Sequence, residues 1–142
     1  MLVALLMAPD PALALDARHW RLQDQGGRSW SLTLMEQADP SYPKGLRLRL
    51  TDRSSNQVLD HGRPLRLSDG MGRSWSLVNR SQELVMAGND RLPRGSAQFD
   101  LADLEPRPRA ELPLLLEVPL DSGEHAELVA GAALVAALHG ES

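Results

Sequence analysis

The phrase Gly27-Arg28-Ser29-Trp30-Ser31-Leu32 recurs unchanged as Gly72-Arg73-Ser74-Trp75-Ser76-Leu77. The two copies lie 45 residues apart, and the match extends backwards, since Arg21-Leu22-x-Asp24 corresponds to Arg66-Leu67-x-Asp69. A chain of 142 residues is not expected to repeat so long a phrase by chance. The repeat therefore predicts that one structural unit occurs twice in the chain.

Each copy has the pattern of a β-hairpin, because apolar residues occupy every second position on both sides of a glycine-containing turn. The predicted three-residue loops are Gln25-Gly26-Gly27 and Gly70-Met71-Gly72. In this register the apolar side chains face each other as Leu22–Trp30, Trp20–Leu32, Leu67–Trp75 and Leu65–Leu77. A shift of one residue would place them opposite polar residues. We therefore expect both tryptophans of the repeat to pack in the core, in preference to forming a paired aromatic ligand site.

The turns of the two hairpins have matching chemistry. Gly27 and Gly72 end the loops, where a three-residue hairpin needs a left-handed residue that glycine adopts without strain. The register also places an aspartate opposite an arginine at each turn, so we expect two cross-strand ion pairs, Asp24–Arg28 and Asp69–Arg73.

Period-two patterning continues through the rest of the chain. Apolar residues alternate with polar ones in three further stretches, which cover residues 46–50, 97–101 and 114–120. We predict an all-β fold of roughly eight strands, arranged as an antiparallel sandwich or a partly closed barrel. The alanine-rich segment 131–138 suits a short C-terminal helix or a buried tail.

The composition is that of a single soluble globular domain. Hydrophobic residues make up 42% and charged residues 24% of the chain, and the formal net charge is −4, so nucleic-acid binding is not expected. The absence of cysteine excludes disulfides and thiolate chemistry. We assign residues 1–14 to a signal-peptide remnant, because an apolar run precedes Ala12-Leu13-Ala14, and residues 15–142 to one β domain. No stretch of the mature chain is long enough to span a membrane.

No motif in the chain indicates catalysis, a cofactor or a metal. The histidines have no metal-ligand spacing, and they are His19, His61, His125 and His139. Asp121, Ser122 and His125 are the residue types of a hydrolytic triad, but they lie together at one hairpin tip, where turn chemistry explains them better. We therefore expect no catalytic, cofactor-binding or metal-binding residues.

Charge is distributed unevenly along the chain. Residues 16–97 carry 13 basic and 9 acidic residues, whereas residues 98–142 carry 2 basic and 9 acidic residues. The two parts either neutralise each other or form a two-sided surface. Strand alternation points four arginines away from the apolar face, and these are Arg21, Arg47, Arg49 and Arg66. If their strands share a sheet, they form an interaction face for an acidic protein surface or an anionic membrane surface.

A further set of segments gives a resemblance over nearly the whole mature chain. In order, they are Leu22-x-Asp24, Gly27-x-x-Trp30-x-Leu32, Leu46-Arg47-Leu48, His61-x-Arg63-Pro64-Leu65, Gln98-Phe99-Asp100-Leu101 and Leu114-x-Leu116-x-Val118-Pro119-Leu120. This series resembles a small cyanobacterial family known only as a domain of unknown function. The resemblance implies export to the periplasm or thylakoid lumen, and it implies no activity, cofactor or catalytic residue. The alanine-rich end departs from the more aromatic C-terminus of that family.

Together these features favour a non-enzymatic accessory or protein-interaction domain in an exported compartment, associated with a photosynthetic membrane complex. The alternative is a carrier of a small apolar ligand, with a pocket lined by tryptophan and leucine. A cavity inside the fold would favour the carrier, and a filled core would favour the interaction domain.

Overall fold

The computed structural model describes residues 17–54, 56–85 and 91–140. The proposed signal peptide, residues 1–14, lies outside these ranges. The described residues form eight strands: β1 Arg18–Gln23, β2 Ser29–Gln37, β3 Gly45–Asp52, β4 Leu65–Ser68, β5 Ser74–Leu77, β6 Ser96–Asp100, β7 Leu114–Pro119 and β8 His125–Ala130. A short 3-10 helix at Ser81–Leu84 precedes β6, and the C-terminal helix α1 covers Ala132–Gly140.

The strands form two antiparallel sheets that pack as a sandwich. The first sheet has the order β1-β2-β3-β6, and the second has the order β5-β4-β7-β8. The sheets are not closed into a barrel, although isolated bridges at Asp24–Leu128 and Asn79–Phe99 connect their edges, and the arrangement is consistent with the predicted sandwich. The predicted C-terminal helix is also confirmed, and its residues Leu134, Val135 and Leu138 are buried.

Both hairpins have the register predicted from the repeat. The observed partners include Leu22–Trp30 and Trp20–Leu32 in the first hairpin, and Leu67–Trp75 and Leu65–Leu77 in the second. The tryptophans at the repeated position are both buried, with 0% of Trp30 and 6% of Trp75 exposed. The first hairpin belongs to the first sheet and the second hairpin to the second sheet. The two copies therefore contribute to the core from opposite sides.

The loop glycines have the backbone conformation that the turns require. Gly27 has a φ of 83° and Gly72 a φ of 103°, which lie in the region that side chains disfavour. The predicted ion pairs, however, are replaced by bonds to the backbone. Oδ1 of Asp24 accepts the N–H groups of Gly26 and Arg28 at 2.8 and 2.9 Å. A short aspartate side chain reaches these N–H groups without ordering a long arginine, which explains the difference.

Asp24 also joins its turn to the core, because its Oδ2 accepts the indole Nε1–H of Trp30 at 3.0 Å. Burial alone would raise the pKa of Asp24, but the hydrogen bonds from Trp30 and from the Arg28 and Gly26 backbones outweigh burial and lower the pKa. In the second hairpin, the indole of Trp75 donates instead to the backbone carbonyl of Pro106 at 2.9 Å. The two copies therefore share a register but anchor their tryptophans differently.

The inward faces of the two sheets fill the space between them. The largest inward side chains have 0% of their surface exposed, and they are Trp30, Leu32, Leu48, Leu50, Leu65, Leu77, Phe99, Leu116, Val118 and Leu128. A side chain that bordered an internal cavity of water size would retain accessible surface. These residues therefore enclose no cavity that could hold a ligand.

We expect Gly72→Ala to destabilise the protein by about 1 kcal/mol or more, because alanine is strained at a positive φ. The space itself is open, since a Cβ at residue 72 would meet no atom within 4 Å. Gly131→Ala is the matched control, because a Cβ there is equally free of contacts and Gly131 has no positive φ. Urea unfolding of both variants measures the difference, and an equal stability of the two would contradict the role of the backbone conformation.

We expect Asp24→Asn to lower the free energy of unfolding by about 1–3 kcal/mol at pH 7, because the buried Trp30 N–H loses its charged acceptor. The folded state depresses the pKa of Asp24, so its stabilisation is present above the unfolded pKa of about 3.9 and is lost as pH falls through the folded pKa. The difference in free energy of unfolding between Asp24→Asn and the wild type should therefore become smaller at acidic pH. Asp103→Asn, at an exposed turn, is the control, and a difference independent of pH would contradict the assignment.

Candidate functional site

The structure separates the four arginines that the sequence placed on one face. Arg21 lies on β1, and Arg47 and Arg49 lie on β3, so these three belong to the first sheet. Arg66 lies on β4 in the second sheet. Because the two repeat copies face each other across the core, their corresponding residues Arg21 and Arg66 point to opposite sides of the sandwich. The premise of a shared sheet therefore does not hold for Arg66.

Arg47 is also unavailable as a surface residue, because it is fully buried. Its Nε and Nη2 donate to the two carboxylate oxygens of Glu83 at 2.8 and 2.9 Å, a bidentate pair. Its Nη1 lies 3.5 Å from Asp100 Oδ1. Glu83 comes from the 3-10 helix, which brings its carboxylate onto the outer side of β3. The side chain does point away from the apolar core, as alternation predicts, but the 3-10 helix covers it.

The pair of Arg47 and Glu83 is held by further bonds. Burial alone would lower the pKa of Arg47, but the hydrogen bond that Arg47 donates to Glu83 and the charges of Asp100 and Glu83 raise the pKa. The amide of Gln98 donates to Glu83 Oε1 at 2.7 Å, and Arg80 Nε lies 3.1 Å from Asp100 Oδ2. These contacts make Arg47 part of the structural framework rather than a binding residue.

The remaining cations of the first sheet form a continuous outer surface. Arg21 lies opposite Ser31, which in turn lies opposite Thr51, and Arg49 is two residues further along β3. Standard strand spacings then place the Cα atoms of Arg21 and Arg49 about 12 Å apart. Arg53 follows the end of β3, and with Arg21 it lines a shallow depression of about 280 Å³. We call Arg21, Arg49 and Arg53 the arginine face.

No arginine of the arginine face forms an ion pair with a residue that the structure describes, although Gln98 links Arg49 to the carboxylate of Glu83. Arg49 donates from Nε to the neutral amide oxygen of Gln98 at 2.9 Å, and burial lowers its pKa. Arg21 and Arg53 have no side-chain hydrogen bond or ion pair to any described residue. The neighbouring residues on this face carry no acidic group, and they are His19, Ser31, Thr33, Thr51, Ser96 and Gln98. The sequence analysis missed Arg53, although strand alternation continued past Thr51 would have included it.

The second sheet has a different outer face. Glu117 on β7 lies directly opposite Glu127 on β8, and His125 is two residues before Glu127. Donor atoms of these three residues lie within 4.8 Å of one another. The sequence analysis missed this cluster because it searched for histidine pairs along the chain, whereas here two strands bring the residues together. His125 contacts these glutamates rather than Ser122, which instead accepts the backbone N–H of Glu124.

Comparison with known proteins adds a family. A family model described as "Protein of unknown function (DUF3122)" matches residues 8–137. No curated protein and no solved structure matches the chain. Within the described ranges, no helix has the length and apolar character needed to cross a membrane. The matched residues include both sheets, and the description of the family names no activity.

We expect Glu83→Ala to destabilise the protein by about 3–5 kcal/mol, because it leaves the charge of Arg47 buried with one partner fewer. Glu36→Ala, at an exposed position near the end of β2, is the control. The double variant Arg47→Met/Glu83→Leu should recover part of the loss, since it removes both charges together. Chemical denaturation measures all three, and a Glu83→Ala variant as stable as the control would contradict a structural role for the pair.

Proposed function

This chain belongs to the DUF3122 family of proteins of unknown function, and we propose that it is a non-enzymatic accessory domain that binds an acidic surface of a partner protein. The binding surface is the arginine face of the first sheet. The single observation that carries the proposal is the group of three guanidinium groups on one outer face without a carboxylate partner in the described chain. Arg66 and Arg47, which the sequence analysis added to this face, are not part of it.

The shape of the surface supports a protein partner. The outer side of a β-sheet is broad and shallow, and the depression beside Arg21 and Arg53 is open to solvent. Arginine forks bind carboxylates in two-point contacts, and each charge-assisted hydrogen bond contributes about 1.5–3 kcal/mol. Three such contacts favour the correct partner and orientation, and shape complementarity supplies the rest of the affinity.

The membrane alternative has weaker physical support. A basic residue near an anionic lipid surface contributes about 1 kcal/mol, so three arginines contribute about 3 kcal/mol. That is less than the roughly 4 kcal/mol that corresponds to millimolar affinity. Large exposed apolar residues would add to membrane binding, but those that the described structure records are Met71, Val78, Val85 and Val129, all outside the first sheet. We therefore favour the acidic protein surface.

We propose that the protein is exported to the periplasm or the thylakoid lumen. The proposed partner belongs to a photosynthetic membrane complex. The support for this proposal is the apolar run before Ala12-Leu13-Ala14 and the family resemblance. The alternative function, a carrier of a small apolar ligand, needs a pocket lined by tryptophan and leucine. The filled space between the sheets favours the accessory domain over the carrier.

We expect the wild-type protein to bind poly-L-glutamate at low ionic strength, with an affinity that falls steeply as salt screens the contacts. Arg21→Glu should weaken this binding about tenfold or more, because it removes a charge-assisted contact and adds repulsion. Arg66→Glu makes the same change of charge on an exposed strand position of the second sheet and is the matched control. Isothermal titration calorimetry measures both affinities.

The same titration with vesicles separates the two kinds of anionic partner. Binding to vesicles that contain phosphatidylglycerol, without binding to poly-L-glutamate, would replace the protein partner with a membrane. Equal losses in Arg21→Glu and Arg66→Glu would show a response to net charge alone and would contradict the arginine face. A photo-crosslinker at Ser31, with Ser76 on the opposite side as control, then identifies the partner in the native cell.

A further inference from the structure

A compact group of metal-ligand atoms lies on the outer face of the second sheet, opposite the arginine face. The group consists of Glu117 on β7 with His125 and Glu127 on β8. Glu117 and Glu127 are direct cross-strand partners, and His125 lies on the same side of β8 as Glu127 because the two are separated by one residue. The backbone register of one hairpin therefore holds all three side chains on one surface.

Each of the two glutamates places a carboxylate oxygen near Nε2 of His125. Nε2 of His125 lies 3.3 Å from Glu127 Oε2 and 3.8 Å from Glu117 Oε2. A tetrahedral zinc ion with bonds of about 2.0–2.1 Å has its donor atoms about 3.3–3.4 Å apart. The distances from His125 are therefore close to the edges of a zinc coordination tetrahedron. A side-chain adjustment of a few tenths of an ångström at Glu117 brings that pair to the same separation.

The surrounding charges leave a place for a cation. Two carboxylates meet here. Arg66 is the cross-strand partner of Glu117, and Arg63, which pairs with Asp60, lines the same depression as Glu117 and His125. Arg66 forms no ion pair with Glu117 in the described structure, although both line the same two shallow depressions. All three ligand side chains are about one-third to just under one-half exposed, so an ion reaches them from solvent.

We propose that Glu117, His125 and Glu127 form a binding site for one divalent transition-metal ion of the zinc class. One imidazole nitrogen and two carboxylate oxygens match the donors that zinc accepts, and the harder ions calcium and magnesium prefer oxygen donors alone. The three protein ligands leave the fourth position open toward solvent. The site is independent of the proposed partner binding, because it lies on the other sheet.

Titration of the tag-free, metal-free protein with zinc chloride tests the site. Calorimetry should show one ion per chain, and His125→Ala should weaken binding about tenfold or more. Glu127→Gln keeps the shape of the side chain and removes its charge, so it should weaken binding as well. His19→Ala is the matched control, because it removes an exposed strand histidine from the first sheet. It should leave zinc affinity unchanged.

Two further readouts distinguish coordination from loose charge attraction. Cobalt(II) bound at three protein ligands should give visible absorption bands in the wild type that disappear in His125→Ala, whereas an ion held only by charge gives the hydrated spectrum. Magnesium in excess should fail to displace zinc. Zinc affinity that His125→Ala and Glu127→Gln leave unchanged, or a loss of binding in His19→Ala instead, would overturn the proposal. Circular dichroism confirms that each variant is folded.

Discussion

The structure depends on the burial of one apolar face from each of the two sheets. Alternation along every strand sends leucine, tryptophan and phenylalanine to the space between the sheets, where the largest of them lose all accessible surface. The same alternation sends arginine, serine, threonine, glutamate and histidine to the two outer faces. Among the described residues, the largest inward side chains are fully buried, so the exposed polar side chains of both sheets lie on the outer faces. Both proposed sites follow from that division.

Local features of the fold were predictable because they follow from neighbours in the chain. The register of each hairpin is fixed by which residues must face Trp30 or Trp75, and the observed pairs agree with the prediction. The glycine conformations follow from loop length in the same way. The aspartates of the turns show the limit of this reasoning, because the same register permits a bond to the arginine side chain or to its backbone N–H. The shorter reach of the backbone bond decides between them.

The distribution of strands between the sheets was not predictable from local pattern. The sequences of two equal hairpins do not decide whether the hairpins lie side by side in one sheet or face each other from two sheets. That arrangement depends on contacts made by distant strands. Here β4 pairs with β7 and β2 pairs with β3, so Arg66 and Arg21 point in opposite directions. Arg47 shows a second limit. Alternation gave its direction correctly, but the 3-10 helix that brings Glu83 over it lies outside any strand pattern.

The basic and acidic parts of the sequence partly neutralise each other and partly form two separate charged surfaces. Asp100 from the acidic part forms ion pairs with Arg47 and Arg80 from the basic part, and Glu83 supplies the second carboxylate of Arg47. The arginine face, by contrast, is built from the basic part and keeps its charge, while Glu117 and Glu127 of the acidic part converge on the opposite face. The outer faces are separated by more than the roughly 10 Å spacing of packed sheets, which is about the screening length at 0.1 M salt, so salt in the solvent screens much of their interaction. The sandwich thereby keeps a cationic surface and a cluster of carboxylates apart within one small domain, which sequence order alone would not achieve.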